Sequence, residues 1–187
     1  MLRGQVVGLR PVERADVEML ASWELEPETW RLAADGAYVP TTAAAMLAEF
    51  DAGKGRLAPA HNQADFVVDV DGACVGRVTL WGIDAHNRRA HLGIAMAPHA
   101  RGKGWGTDAC RVLLAYAFRD RGLHRVQLET LASNAPALAA YQRAGFIVEG
   151  RLREDAWVDG RFVEQVVMGV LATEWLAAQP KWDAASG

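Results

Sequence analysis

Arg101-Gly102-Lys103-Gly104-Trp105-Gly106-Thr107 stands between a strand-like run and a long amphipathic helical run, and its reading decides the fold. Glycine at every second position lets the backbone approach a ligand closely, so successive N–H groups can converge on one anion at a helix N-terminus. The order Arg-x-x-Gly-x-Gly is neither the Gly-x-x-x-x-Gly-Lys-Ser/Thr of a P-loop nor the Gly-x-Gly-x-x-Gly of a dinucleotide fold. It reads as a pyrophosphate cradle, with a glycine-bearing surface turn as the plain alternative.

Upstream of this segment, Ala90 to Met96 reads as a strand. Downstream, Ala109, Val112, Leu113, Tyr116 and Ala117 follow helical spacing from Thr107 to Arg121, and Gly122 supplies a stop. His124 to Leu131 then alternates with period two. Strand, glycine loop, helix and strand make a crossover unit, so the two strands should be parallel, with ligand beyond their carboxyl ends.

Further out, Val6 to Pro11 reads as a first strand and Asp16 to Trp23 as a helix. A second short helix, capped by Thr41 or Thr42, carries Met46, Leu47 and Phe50 on its apolar side. A polar loop spans Gly53 to Gln63. Phe66 to Val70 and Ala73 to Leu80 flank Asp71-Gly72, a hairpin signal that Asp159-Gly160 repeats between Arg153–Val158 and Phe162–Val170. Asn134-Ala135-Pro136 opens a helix that ends at Gly145, and Phe146 to Glu149 returns as a strand. Residues 1–178, closing in a helix from Leu171 to Ala178, are expected to form a single domain, with 179–187 a weakly ordered tail.

The chain has 187 residues, 51% of them hydrophobic, and a formal charge of −3. That balance lacks the basic footprint of a nucleic-acid binder. No apolar run approaches the roughly 20 residues of a membrane helix, and the start does not open into a signal-peptide core, so a cytoplasmic protein is expected. Cys74 and Cys110 lack metal-site spacing and read as buried thiols, so no metal is expected. His61, His86, His99 and His124, with Lys54, Arg56, Arg88 and Arg89, read as surface residues.

A second motif lies on the helix after the crossover. Asn134, Ala137, Tyr141, Gly145 and Phe146 match every fixed position of Asn-x-x-Ala-x-x-x-Tyr-x-x-x-Gly-Phe. With the first motif, this resembles the GCN5-related N-acetyltransferase (GNAT) superfamily, in the branch of ribosomal-protein alanine and spermidine acetyltransferases. Leu9-Arg10-Pro11 with Asp16, Glu149-Gly150-Arg151-Leu152-Arg153, and Gly160 before Glu174-Trp175 agree, so the likeness runs from about Leu9 to Trp175. It implies an α/β fold whose mixed, mostly antiparallel sheet of about seven strands is flanked by helices, with two central parallel strands splayed.

The resemblance further implies acetyl-CoA, or another short acyl-CoA, as co-substrate. Its pantetheine arm would lie along Ile94, Ala95 and Met96, and Asn134 would hold it from the opposite side. The pyrophosphate would fall on the N–H groups of Gly102, Lys103, Gly104, Trp105, Gly106 and Thr107, with Arg101 and Lys103 adding charge. The acceptor would be a small-molecule amine or a peptide or protein N-terminus, attacking directly in a ternary complex. A polyamine or antibiotic-type acetyltransferase and a non-catalytic acyl-CoA sensor remain alternatives, and the chain is expected to be a monomer or homodimer.

Tyr141 is the candidate acid for the leaving thiolate, since a phenol with pKa near 10 can donate to a thiolate of ordinary pKa about 8.5; a packed aromatic is its plain reading. A backbone N–H of the strand ending at Met96 would stabilise the oxyanion. His91 is the candidate base, against a packing role, and Glu129 on the neighbouring strand is the reserve. Trp30, Trp81 and Trp157 fall in segments that line the acceptor cleft in relatives, with buried tryptophan as the plain reading, and Glu24, Glu26, Glu28 and Asp35 lie in the acceptor-facing region, where they would either attract a cationic acceptor or simply be solvated.

Overall fold

Two short strands, β1 (Leu2–Arg3) and β2 (Gly8–Pro11), open the chain. The computed structural model describes residues 1–33, 38–57 and 60–184. Val6 and Val7 lie before β2 and not within it. The backbone N–H groups of Gln5, Val6 and Val7 donate to the Asp108 carboxylate at 3.1, 2.8 and 2.9 Å, and this withdraws them from the ladder.

Three helices follow: α1 (Asp16–Glu24), α2 (Pro27–Ala33) and α3 (Ala43–Asp51). The sequence reading missed α2, although Pro27 stands at its first position, where the absent N–H is no loss. Thr42 caps α3 by accepting from the Ala45 N–H at 3.1 Å.

Strands β3 (Ala64–Val70) and β4 (Ala73–Asp84) are joined by Asp71 and Gly72 at φ +52° and +84°, as the hairpin reading requires. Then come β5 (Arg89–Met96), α4 (Trp105–Ala115) and β6 (Arg125–Leu131). The end of α4 widens into a π-helical turn over Tyr116–Asp120. Helix α5 (Ala135–Ala144) ends at Gly145, with φ +105°. The expected strand at Phe146–Glu149 and the first arm of the last hairpin merge into one long strand, β7 (Ile147–Val158), opposite β8 (Arg161–Leu171). Register shifts after Val148 and Leu152, with Glu154 at φ +54°, absorb the extra residues. Helix α6 (Ala172–Ala184) continues beyond Ala178 into the segment expected as a tail.

The strands form one sheet in the order β1-β2-β3-β4-β5-β6-β8-β7. Its count is eight rather than about seven, because β1 adds a two-residue edge. Only β5 and β6 run parallel, and they pair only at Arg89 with Arg125, Ala90 with Val126 and His91 with Gln127. Beyond His91 each keeps its outer partner: β5 stays on β4 as far as Met96, and β6 stays on β8 as far as Leu131. The two inner edges therefore part, leaving a wedge that opens toward the glycine loop.

Residues opposite one another in the ladder share a face. One face carries Leu9, Val68, Val78, Leu80, Leu92, Val126, Leu128, Met168 and Val170, all buried, and packs into a common core with Ala109, Val112 and Leu113 of α4 and Trp175 of α6. The other carries Asp65, Arg77, Thr79, Trp81, His91, Gln127 and Glu129, with α1 against β4 and α2 against β6. The sheet thus has one polar face and one apolar face.

Candidate active site at the strand wedge

After β5 a single 3-10 turn, Pro98–Ala100, leads into Arg101 and the glycine loop. Gly102 and Gly104 take φ +75° and +81°, and a Cβ built on either meets nothing within 4 Å, so glycine is needed here for conformation and not for space. Gly104 is the N-cap of α4. The N–H groups from Gly102 to Thr107 find no acceptor among the described residues, which leaves a row of donors at the positive end of a helix dipole. Asp108, the one acid of that first turn, spends its charge on the Gln5–Val7 backbone. Residues and geometry both fit a bound diphosphate.

The two basic side chains of the loop are placed differently. Lys103 Nζ lies 4.6 Å from the Trp105 ring centroid, beside the cradle. The Arg101 guanidinium turns back, donating to Met96 O at 3.1 Å and to Thr29 Oγ1 of α2 at 3.3 Å. Ile94 and Met96 point toward Gly106, whose built Cβ would lie 3.5 and 3.6 Å from them, while Ala95 faces the polar side opposite Arg77.

Asn134 caps α5, its Oδ1 accepting from the Ala137 N–H at 3.3 Å; the side-chain NH2 has no partner among the described residues. One face of α5 is held against α4, with Thr107 Oγ1 donating to Ala140 O at 3.4 Å and Arg111 donating to Arg143 O at 2.7 Å. Tyr141 is 8% exposed and stands edge-on to Phe146 at 5.9 Å. The second motif thus lies across the wedge from β5.

At the apex of the wedge, His91 and Glu129 come together, with Nδ1 to Oε2 at 3.4 Å. His91 also stacks on Trp81, ring centroids 4.2 Å apart and planes at 26°. Its Nε2 lies 3.3 Å from Gln127 Nε2. Which nitrogen carries the proton follows from the chain of partners. Arg125 Nε, which can only donate, points at Gln127 Oε1 at 3.2 Å, so Gln127 must turn its NH2 toward His91. His91 Nε2 is then the acceptor, and the proton sits on Nδ1, facing Glu129. Glu149 holds Arg125 through both oxygens, and this pair lowers the Glu149 pKa below the ordinary carboxylate value. Sequence reasoning found His91 and Glu129 but missed Gln127, Arg125 and Glu149 as their support.

The carboxylates proposed to draw a cationic acceptor are not free as a set. Glu24 is buried and bonded to Arg77 at 2.8 Å and to Arg56 at 2.8 Å, so Arg56 is no solvated loop charge. Glu26 and Glu28 are exposed, and Asp35 lies outside the described residues. Trp81 is 44% and Trp157 63% exposed, the latter stacked edge-on against Phe162. Trp30 meets Tyr38 edge-on at 6.0 Å and lies under Arg56. His61, His86, His99 and His124 are all exposed, as read. Among the described residues no group of His, Cys, Asp and Glu could hold a metal, and no helix is long and apolar enough to cross a membrane. Burial pushes the Cys74 thiol up to about 11 and the Cys110 thiol to about 12, which denies both a thiolate's reactivity at neutral pH.

Residues 7–147 match the acetyltransferase (GNAT) domain family. The chain belongs to this family. The GNAT chain is 36% identical over 105 residues to YdaF of Bacillus subtilis, provisionally named a ribosomal N-acetyltransferase, covering 56% of this chain and 57% of that protein. It is 32% identical over 119 residues to the spermidine N(1)-acetyltransferase of Escherichia coli K12, covering 63% and 64% respectively. The matches therefore span less than two thirds of these relatives' own lengths. The crystal structure of spermidine N-acetyltransferase from Vibrio cholerae in complex with CoA and spermine superposes with a TM-score of 0.81, over 91% of this GNAT chain and 98% of that one. At 24% identity that likeness establishes the shared fold.

Proposed function

We propose that this protein transfers an acetyl or other short acyl group from coenzyme A to a primary amine, by direct attack within a ternary complex. The observation that carries the reading is the row of unpartnered N–H groups from Gly102 to Thr107 opening onto the wedge between β5 and β6. A diphosphate held there would send its extended arm along Ile94–Met96, whose inner edge lacks a strand partner, so the arm can complete the ladder. Met96 O already serves Arg101, and release of that bond would accompany pairing at the last position. The Asn134 NH2 supports the arm from the other wall.

The thioester supplies an activated acyl carbon; the chain's own residues manage the protons. The amine nitrogen bonds to the acyl carbon, the C–S bond breaks, and the amine proton passes to a carboxylate or imidazole. Of the His91 ring nitrogens, Nε2 is taken by Gln127, while Nδ1 is buried 3.4 Å from Glu129 Oε2 without a hydrogen bond to it. In this reading the proton goes to Glu129, and His91, its accepting nitrogen already taken, stands beside the carboxylate. The departing thiolate takes the Tyr141 phenol proton, which solvent restores. With Cys110 buried, Cys74 half-buried and both thiols held protonated, an acyl-cysteine intermediate has no support.

Titration calorimetry with acetyl-CoA and a thiol-release assay over amines test the reading. Tyr141→Phe is expected to lower kcat about 10²-fold or more while acetyl-CoA affinity stays within about twofold. Absence of acetyl-CoA binding would overturn the function, and equal losses of rate and affinity would overturn the acid role.

A further inference from the structure

A line of residues runs across the sheet at right angles to its strands. Trp81 of β4 stands opposite His91 of β5, His91 opposite Gln127 of β6, and Gln127 opposite Gly169 of β8. Residues so placed share a face, here the polar one. Beyond Gly169, Glu149 sits in the register shift of the edge strand β7. Gly169 is buried and offers no side chain, and Glu149 lies across the gap. A methyl group on Gly169 would stand 2.6 Å from Glu149 Oε1 and 2.7 Å from its Cδ and Oε2, well inside contact distance, and these are its three nearest atoms. Gly169 does not take a positive φ, so its place is explained by passage and not by backbone conformation. Over this gap the carboxylate crosses β8 and meets Arg125, Oε1 accepting from Nη1 at 2.6 Å and Oε2 from Nη2.

Resting on the acyl-transfer reading, we infer that Gly169 and Glu149 are positioning residues for the proton-accepting site, acting through Arg125 and Gln127 to keep the free lone pair of His91 turned away from Glu129. Gripped at both terminal nitrogens, the Arg125 guanidinium has its plane fixed and its Nε aimed at Gln127 Oε1, 3.2 Å away. Gln127 must then donate to His91 Nε2 at 3.3 Å, and the imidazole proton lies on Nδ1. Glu174, the other acid that acts on Arg125, accepts from the Leu171 N–H at 2.9 Å, so an unanchored Arg125 has a second carboxylate to turn to. With Arg125 gone from its oxygen, the Gln127 amide can turn over and accept from an Nε2–H. The Nδ1 lone pair would then face Glu129 Oε2 at 3.4 Å, two acceptors side by side where the amine delivers its proton. The Glu149 side chain is 37% exposed, so its ion pair adds little to folding; what it fixes is an orientation.

The test reads the tautomer first and the rate second. At about pH 8, where an ordinary imidazole is neutral, nitrogen chemical shifts of the wild-type chain should show His91 protonated on Nδ1. Gly169→Ala should push the Glu149 carboxylate off Arg125 and give a mixture of the two tautomers. Glu149→Ala, which removes the carboxylate outright, should give the same mixture, and adding Gly169→Ala to it should change nothing further. Thermal melts verify that each variant is folded, and Glu149→Ala carries the test by itself if Gly169→Ala is not. In thiol release from acetyl-CoA, the single and double variants should all lose about threefold or more in kcat, with the KM for acetyl-CoA unchanged. A wild-type His91 protonated on Nε2, a folded single variant that keeps the wild-type tautomer, a further change in the double variant, or a tautomer shift with no loss of rate overturns the positioning role and leaves acyl transfer standing. If the wild-type chain releases no thiol with any amine, the transferase reading fails, and the nitrogen shifts still decide whether Glu149 and Gly169 set the state of His91.

Discussion

Gln127 separates the two candidate bases. Held by Arg125 on its oxygen, it can only donate toward His91, so the imidazole proton lies on Nδ1, 3.4 Å from Glu129, and no free lone pair remains for the acceptor. Glu129→Gln should therefore cost about 10²-fold or more in kcat, and His91→Gln less, both with KM for acetyl-CoA unaltered. Nitrogen chemical shifts should show His91 protonated on Nδ1 in the wild-type chain and a mixture of tautomers in Gln127→Ala. A larger loss for His91→Gln than for Glu129→Gln would exchange the roles. At this scale the sequence told part of the story: motif spacing marked Tyr141 and Asn134, and strand position marked His91 and Glu129. Their pairing was hidden because it depends on His91 standing opposite Gln127, a register that belongs to tertiary structure. Arg125, Gln127 and Glu149 look, in one dimension, like the polar half of any alternating strand.

Element by element, the crossover was the legible part, since β5, the glycine loop, α4, β6 and α5 each carried their own start and stop signals. The β2 start, the merging of β7 and the existence of α2 were not legible. The first turns on Asp108 reaching across the fold to three backbone donors, the second on register shifts, and the third on a seven-residue helix too short for a periodic signature. Within the loop, glycine has two different meanings that substitution will separate. Gly104 sits at φ +81°, so Gly104→Ala should cost about 1–2 kcal/mol and weaken acetyl-CoA binding about tenfold or more by tilting the donors. Gly106 has ordinary φ, and its added methyl would meet Ile94 and Met96 at van der Waals distance. Gly106→Ala should leave stability within about 0.5 kcal/mol and binding nearly unchanged. Thermal melts and calorimetry check both; equal behaviour of the two variants would remove the conformational argument for the cradle.

Across the whole molecule, the sheet divides its labour: one face is apolar and joins the core under α4 and α6, the other is laced with ion pairs and carries the proposed base. Arg77 is deeply buried between Glu24 and Asp65, and Arg10 between Asp16 and Asp69, so α1 is fastened to β2, β3 and β4 by charge as well as by apolar packing. Such fastening depends on pH in a direction that follows from the shifts. Asp16 lies below its ordinary value of 3.8, chiefly because Arg10 donates to both of its oxygens, and Glu149 lies below 4.5 because of Arg125. A carboxylate depressed in the folded state binds its proton more readily when unfolded. Its contribution is therefore present above the unfolded value and lost as pH falls through the folded one. Unfolding stability should hold roughly level from neutral pH to about 5 and then fall steadily below about 4. Asp16→Asn should lose about 1–3 kcal/mol at pH 7, yet show a shallower acid slope, because the proton it would have taken up is no longer at issue. Urea titrations at pH 7, 5 and 3 on both chains make the comparison. A variant that matches the wild type at pH 7 and keeps its full acid slope would show that α1 is held by apolar packing alone, since Val17, Leu20 and Trp23 are buried beneath it at every pH.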